Sequence, residues 1–517
     1  MSKQHDDAGC PLERLQARMK KTLDENRSEA IAKRHEKGYR TARENLADLV
    51  DEGSFVEYGQ LAVAAQRSRR EYTELQSATP ADGILTGLAS INNDRFDDKA
   101  SQVAVVVNDY SVLAGTQGFF HHQKLDRLLE VASRSRLPLV MYTEGGGGRP
   151  GDTDVLVQMA GLNTTAFATW ARLSGKVPRI AVNNGYCFAG NAALFGSADI
   201  TIATKSSCIG MAGPAMIEGG GLGSFAPTDI GPIDVQARNG VVDIVAENEK
   251  HATQLARCVL SYFQGSADEW QCKDQAKLRD LIPEDRRWAY KIRELIEILA
   301  DTDSFLEIRA EYGQGMVTGF MRLEGKPVGV IANSSIPLGG AIDAVGAEKV
   351  ARFMQLCDSY KLPIVSLTDT PGFMVGPDSE KEGAVRRMSS LFVTAAALTV
   401  PVVTIVLRKG YGLGAMAMAG GSFVEPVFMA AWPSGEFGGM GLEGAVKLGY
   451  RKELERASEG AERDALFQKL VKQLYELGKA TEAAAFLEID AVIDPADTRE
   501  VIMRALASAG NGRTTST

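Results

Sequence analysis

Apolar runs along this chain come in two sets, and the second repeats the first. Residues 176–194 (KVPRIAVNNGYCFAGNAAL) carry a proline-led apolar strand into a turn holding Gly185, Ala189 and Gly190, followed by small residues suited to a helix. Residues 399–421 (TVPVVTIVLRKGYGLGAMAMAGG) do likewise, with Gly410, Gly412 and Gly414 after the strand. Each copy has an earlier partner, residues 136–148 (RLPLVMYTEGGGG) and 361–373 (KLPIVSLTDTPGF), again a strand ending in a Gly-rich loop. After His121 and His122, residues 124–137 have helical period and stop before Pro138, and residues 155–175 read as a second helix. The β-loop-α-β order predicts an α/β fold of two related domains.

The same patterning sets boundaries. Residues 1–52 read as an N-terminal helical extension, with apolar positions at Leu15, Met19, Leu23, Leu46 and Leu49 on a charged background. GSFVEYG opens a first domain over residues 53–267, and residues 304–333 restart the pattern for a second over 304–505. The charged residues 268–303, around Pro283, read as the linker, and 506–517 as a disordered tail. Residues 210–232, rich in Gly and Pro, are too long for a simple connection and read as a functional or mobile loop.

Composition narrows the function classes. The 517 residues are 44% hydrophobic and 24% charged, as in an ordinary globular enzyme, and the 53 glycines concentrate in loops after strands. A net charge of −9 argues against a nucleic-acid surface. Six scattered cysteines form no CxxC pair, so no zinc ribbon or disulfide framework is expected, and no metal. With no spanning apolar run and an acidic start, no membrane partner is expected and a cytoplasmic location follows.

A glycine-lined helix start offers unpaired N–H groups to a carbonyl oxygen that becomes negative during reaction. Ala189 and Gly190, with Asn191 beside them, are the candidate donors of one such hole, and Leu413 and Gly414 of the other. Two holes suggest two carbonyl compounds reacting together. Tight strand–helix packing is the plainer reading of either turn alone. Gly146 and Gly147 suit close approach of backbone to a ligand, and Arg149 reads either as a phosphate or carboxylate contact or as a surface ion pair. DTPGF, ending in Phe373, reads as a ligand loop or a mere Pro-Gly turn, and Tyr411, Ala415 and Met416 flank the second hole. No GxSxG, HExxH or GxxxxGKS signal occurs, and His121 and His122 read as capping or surface residues.

These motifs together resemble the carboxyltransferase (β) subunits of biotin-dependent acyl-CoA carboxylases: GSFVEYG, GYCFAGNAAL, DIGPIDVQARNGVVDIVAENE, the run from GAIDAVGAEKV to DTPGFMVG, YGLGAMAM, AWPSGEFGGMGLEGA and IDAVIDPADTR. The resemblance implies two tandem crotonase-like ββα-superhelix domains with helical extensions at both ends. It implies an acyl-CoA thioester in the first hole and carboxybiotin, brought by a separate biotin carboxylase/biotin carrier subunit, in the second. It implies a homo-oligomer, commonly a hexamer, with the site shared between subunits. Asn191 stands where the family usually has glycine, and is expected to narrow the acyl site or hydrogen-bond the substrate. Met416 lies where the family shapes the acyl pocket. A decarboxylase subunit with a membrane partner and a biotin-free CoA-binding scaffold stay open as alternatives.

Overall fold

The computed structural model describes residues 10–155 and 162–509. The chain divides into two compact units, Met1–Gln264 and Gly265–Thr517.

The first unit is built on a seven-stranded sheet in the order β1-β2-β3-β4-β5-β7-β9. The strands are β1 (Val56–Tyr58), β2 (Ile84–Ser90), β3 (Gln102–Asn108), β4 (Leu139–Tyr142), β5 (Arg179–Asn183), β7 (Ile200–Thr204) and β9 (Ile244–Ala246); β6 (Tyr186–Phe188) and β8 (Cys208–Gly210) form a small parallel pair of their own. β1, β2 and β3 run antiparallel, and from β3 onward every pairing is parallel. Parallel strands need crossovers, and those crossovers cover the sheet, which is why β4 and the middle of β5, Ile180 to Val182, are apolar on both faces and wholly buried. The helix Phe119–Ser135 returns the chain from β3 to β4, laying Leu125, Leu128, Leu129 and Ala132 on Val106, Met141 and Ala181. It ends where Arg136 turns left-handed, two residues before Pro138.

The second unit repeats this plan. Its sheet runs β10 (Leu306–Ile308), β11 (Met316–Leu323), β12 (Lys326–Asn333), β13 (Ile364–Thr370), β14 (Val402–Tyr411), β15 (Phe428–Ala431) and β17 (Ala491–Val492), with β16 (Glu436–Gly438) on the far end of β14. The ten-residue β14 does the work of β5 and β6 together. Side-chain interactions are duplicated too. Arg43 holds Glu57 at 3.2 Å, as Arg293 holds Glu307 at 2.6 Å. Buried Lys124 donates to the Ala81 and Ile84 carbonyls, and buried Lys349 to those of Arg309 and Met316.

Several expectations change. Residues 268–303 are no linker: the helix Ile292–Leu299, with Leu278 and Tyr290, lies inside the second unit's main core beside Val317, Met321 and Val330. Apolar side chains at helical spacing within a charged stretch explain both the misreading and the packing. The N-terminal extension likewise joins the first unit, since Leu46 and Leu49 of the helix Ala42–Leu49 are buried. The last helix, Thr498–Ala509, carries order past residue 506; 510–517 lie outside the described residues. Of the helix read over 155–175, Ala166–Arg172 is helical and 156–161 lie outside the described residues. Among the described residues, no helix is long and apolar enough to cross a membrane, and no group of three or more His, Cys, Asp or Glu is placed to hold a metal.

Candidate active site

In each unit three segments meet at the carboxyl ends of the strands. In the first, the Gln117 amide donates to the Gly147 carbonyl at 2.6 Å, and the Arg149 amide returns to the Gln117 carbonyl at 2.9 Å, closing a parallel bridge between Gln117 and Gly148. In the second, the Ile342 amide donates to Gly372 at 3.0 Å and the Met374 amide to Ile342 at 2.8 Å, bridging Ile342 and Phe373. Gly148 and Phe373 therefore hold equivalent places, and neither amide has an acceptor among the described residues.

The third segment is a short helix, Gly190–Gly196 in one unit and Gly412–Met418 in the other. Register fixes their equivalence: Phe188 pairs with Gly210 as Tyr411 pairs with Gly438. Ala189 thus matches Gly412, Gly190 matches Leu413, and Asn191 matches Gly414. Ala189 and Gly412 share a positive φ, 52° and 58°. First-turn amides have no intrahelical acceptor, so Gly190 and Leu413, both reachable from solvent, present free N–H groups. A Cβ on Gly147 would lie 2.7 Å from that of Ala189 and 3.7 Å from the Gly190 nitrogen. Loop and helix start are packed backbone to backbone.

Such pairs of open amides, Gly148 with Gly190 and Phe373 with Leu413, suit an oxygen that gains negative charge. The sequence profile of the carboxyl transferase domain matches residues 33–517. The chain belongs to the carboxyl transferase domain family. It is 32% identical to the methylmalonyl-CoA carboxyltransferase 12S subunit of Propionibacterium freudenreichii subsp. shermanii, over 92% of this chain and 90% of that one. It is equally 32% identical to the biotin-dependent acetyl-/propionyl-coenzyme A carboxylase beta5 subunit of Mycobacterium tuberculosis, over 97% and 92%. Among solved structures, a single-chain, multi-domain long-chain acyl-CoA carboxylase superposes with a TM-score of 0.92 at 55% identity, covering 96% of this chain. This chain spans about half of that protein, 49% of its length. The transcarboxylase 12S crystal structure, a hexamer with methylmalonyl-CoA bound, gives a TM-score of 0.84 at 30% identity, covering 98% and 96%.

Within this carboxyl transferase chain, several residues expected at the ligand are engaged elsewhere. The Ala189 amide donates to the Gly210 carbonyl at 3.1 Å, holding β6 to β8, so it is not a free donor. The Arg149 side chain is buried and bound to Asp82 at 2.5 Å, to the Thr116 carbonyl at 2.8 Å and to Asp152 at 3.5 Å; it forms an internal ion pair, not a surface one. Burial pushes the Asp82 carboxyl up and the Arg149 guanidinium pulls it back. Asn191 is fully buried, with its side-chain amide bound to Gln117 and to the Gly115 carbonyl. Tyr411 and Ala415 are buried as well, Tyr411 with its hydroxyl near Glu436. His121 is a core residue, its Nε2 3.1 Å from the Asn108 amide oxygen. Gly146 is exposed, its amide bound to Ala114; Phe373 and Met416 are half-buried, and the Phe373 ring meets Phe392 edge-on at 6.2 Å.

Two buried carboxylates at the roots of the loops went unread. Glu144, the last residue before Gly145, is gripped by both guanidinium nitrogens of Arg34, with Nη1 at 2.8 Å from Oε1 and Nη2 on Oε2. Burial raises its pKa and Arg34 opposes that rise. Asp369, just before Thr370, is held by Arg408 at 2.9 Å and accepts the Lys409 amide at 3.0 Å. An acid at the same register in YTEGGGG and LTDTPGF was the available signal. Arg34 stands in the helix Ser28–His35, so the N-terminal extension braces the first site directly.

Proposed function

We propose that this chain is the carboxyltransferase subunit of a biotin-dependent acyl-CoA carboxylase, with two tandem crotonase-like units, the first for an acyl-CoA and the second for carboxybiotin on a separate carrier subunit. The observation that supports this most is the pair of open amides at matching register in two units of one topology. A thioester enolate and a ureido group each place negative charge on one oxygen, so each calls for one such cradle. The similarity to propionyl-, acetyl-/propionyl- and long-chain acyl-CoA carboxylases supports the same reading and leaves the acyl group open among them.

The Gly148 and Gly190 amides hold the thioester oxygen and stabilise the charge that grows on it as the α-proton leaves. The Phe373 and Leu413 amides hold the ureido oxygen, and the cradle suits it because Gly412 and Gly414 keep Cβ atoms out of the turn. When bound, carboxybiotin supplies the CO2 and, after giving it up, the base. Each donor contributes roughly 3–4 kcal/mol to the transition state by analogy with oxyanion donors elsewhere. A homo-hexamer, as in the 12S protein, and a cytoplasmic location fit this reading.

Mixing the purified chain with a biotin carboxylase and carrier, ATP, bicarbonate and a panel of acyl-CoA thioesters tests it. Carboxylated acyl-CoA is expected to form in proportion to this chain. A carrier that becomes carboxylated yet passes nothing to any thioester rejects the assignment.

A further inference from the structure

The first site contains a side-chain lacing that the second lacks. Gln117 donates from Nε2 to the Asn191 Oδ1 at 2.6 Å, and Asn191 donates from Nδ2 to the Gly115 carbonyl at 3.1 Å. Gln117 also bridges through its backbone to Gly147 and Arg149. Both side chains are buried, Asn191 completely and Gln117 to within 5%. These bonds therefore tie together the loop after β3, the loop after β4 and the start of the helix Gly190–Gly196, in a place where water does not compete for them.

The second unit solves the same problem differently. Its register equivalents are Ile342, which contributes backbone bonds, and Gly414, which has no side chain and lies against Gly372. There, among the described residues, no side chain reaches the helix start: the Thr370 hydroxyl accepts the Gly372 amide at 3.1 Å and donates to its carbonyl at 3.2 Å, while Asn333 accepts the Asp369 amide at 3.1 Å and donates to the Gly340 carbonyl at 3.4 Å. The position matching Thr370 in the first unit is Gly145, where a Cβ would lie 2.0 Å from the Asn191 Nδ2 and 2.2 Å from the Gly115 oxygen. The amide occupies the space that a threonine would need. The Gln117 Oε1 in turn lies 2.4 Å from where a Cβ of Gly190 would be, so the carboxamide abuts the residue that presents the free N–H.

We infer that Gln117 and Asn191 are positioning residues of the first oxyanion site, setting the spacing of the Gly148 and Gly190 amides without touching substrate. This rests on the acyl-CoA carboxyltransferase reading. A donor that strengthens only as charge develops affects kcat, whereas a binding contact affects KM. Asn191→Ala removes the lacing from one end; Gln117→Met, of similar length, removes it from the other.

The test is steady-state kinetics of full-length wild type and both variants with the loaded carrier and a saturable acyl-CoA, alongside binding of an unreactive thioether-CoA and of a CoA analogue bearing a planar nitronate anion. The expected result is a fall in kcat of ~100-fold, acyl-CoA KM and thioether binding within about 3-fold of wild type, and nitronate binding weakened in step with kcat. Unchanged kcat overturns the inference. So does a rise in KM alone, which marks a binding contact, or insolubility of both variants, which marks a folding role. A wild-type chain inactive in the same assay refutes instead the carboxyltransferase reading itself.

Discussion

Replacing Gly414 by alanine adds one methyl group where the second unit has no room for it. The new Cβ would lie 2.8 Å from both the Cα and the carbonyl carbon of Gly372, and 3.0 Å from the Phe373 nitrogen. Ordinary contact begins near 3.4 Å, so loop and helix must part by about 0.6 Å along that line. All three neighbours are backbone atoms fixed by the Ile342 bridge, and no flexible side chain can yield. The separation falls directly between the Phe373 and Leu413 amides, so at most one can keep its distance to a shared oxygen. Losing one oxyanion donor costs about 10²–10³ in rate, and overpacking of this kind costs about 1–3 kcal/mol of stability. We expect folded Gly414→Ala protein to lose ~100-fold in kcat while binding acyl-CoA normally by calorimetry, because the cradle proposed for the thioester belongs to the other unit. Gly441→Ala serves as control, since a Cβ there meets nothing within 4 Å. A folded Gly414→Ala enzyme within 3-fold of wild-type kcat would refute the reasoning.

Ala189 holds φ 52° and ψ −120°, a region that strains residues with a Cβ by about 1–3 kcal/mol. Ala189→Gly should therefore match or exceed wild-type stability in urea unfolding, with Ala189→Val at least ~2 kcal/mol below it. Arg34→Met leaves the buried Glu144 charge without its partner, and a loss of about 3–5 kcal/mol is expected, largely restored by adding Glu144→Gln. The pH sign follows from the raised Glu144 pKa: the folded state binds the proton more tightly than the unfolded chain, so Arg34→Met should regain stability as pH falls toward the ordinary carboxylate range. Lys349 titrates the opposite way. Burial pushes its pKa down to about 7, so the unfolded chain holds more protons above that pH and wild-type stability should rise with pH. The slope is at most about 1.4 kcal/mol per unit between pH 7 and 9, and Lys349→Met should remove that component when denaturant midpoints are compared across the range.

What could be read beforehand follows from how local each cause is. Doubling, the β-loop-α-β succession and the four loops were legible because apolar runs ending in glycine are properties of contiguous residues. Backbone amides were harder, because their availability depends on a partner far along the chain. The Ala189 N–H is taken by the Gly210 carbonyl, 21 residues on, while the Gly148 amide has no acceptor among the described residues. Charged side chains failed for the same reason: Arg149 is bound by Asp82, 67 residues earlier, and Glu144 by Arg34, 110 residues earlier. The departure at residue 191 was visible as a non-glycine in a glycine turn, yet its direction was not. A buried asparagine must find polar partners, because burying an unpaired amide costs several kcal/mol. Gln117 and the Gly115 carbonyl meet that demand. A polar residue in such a turn therefore points first to the protein's own frame, whereas a residue that stays open to solvent, as Gly190 and Leu413 do, is left free to meet a ligand.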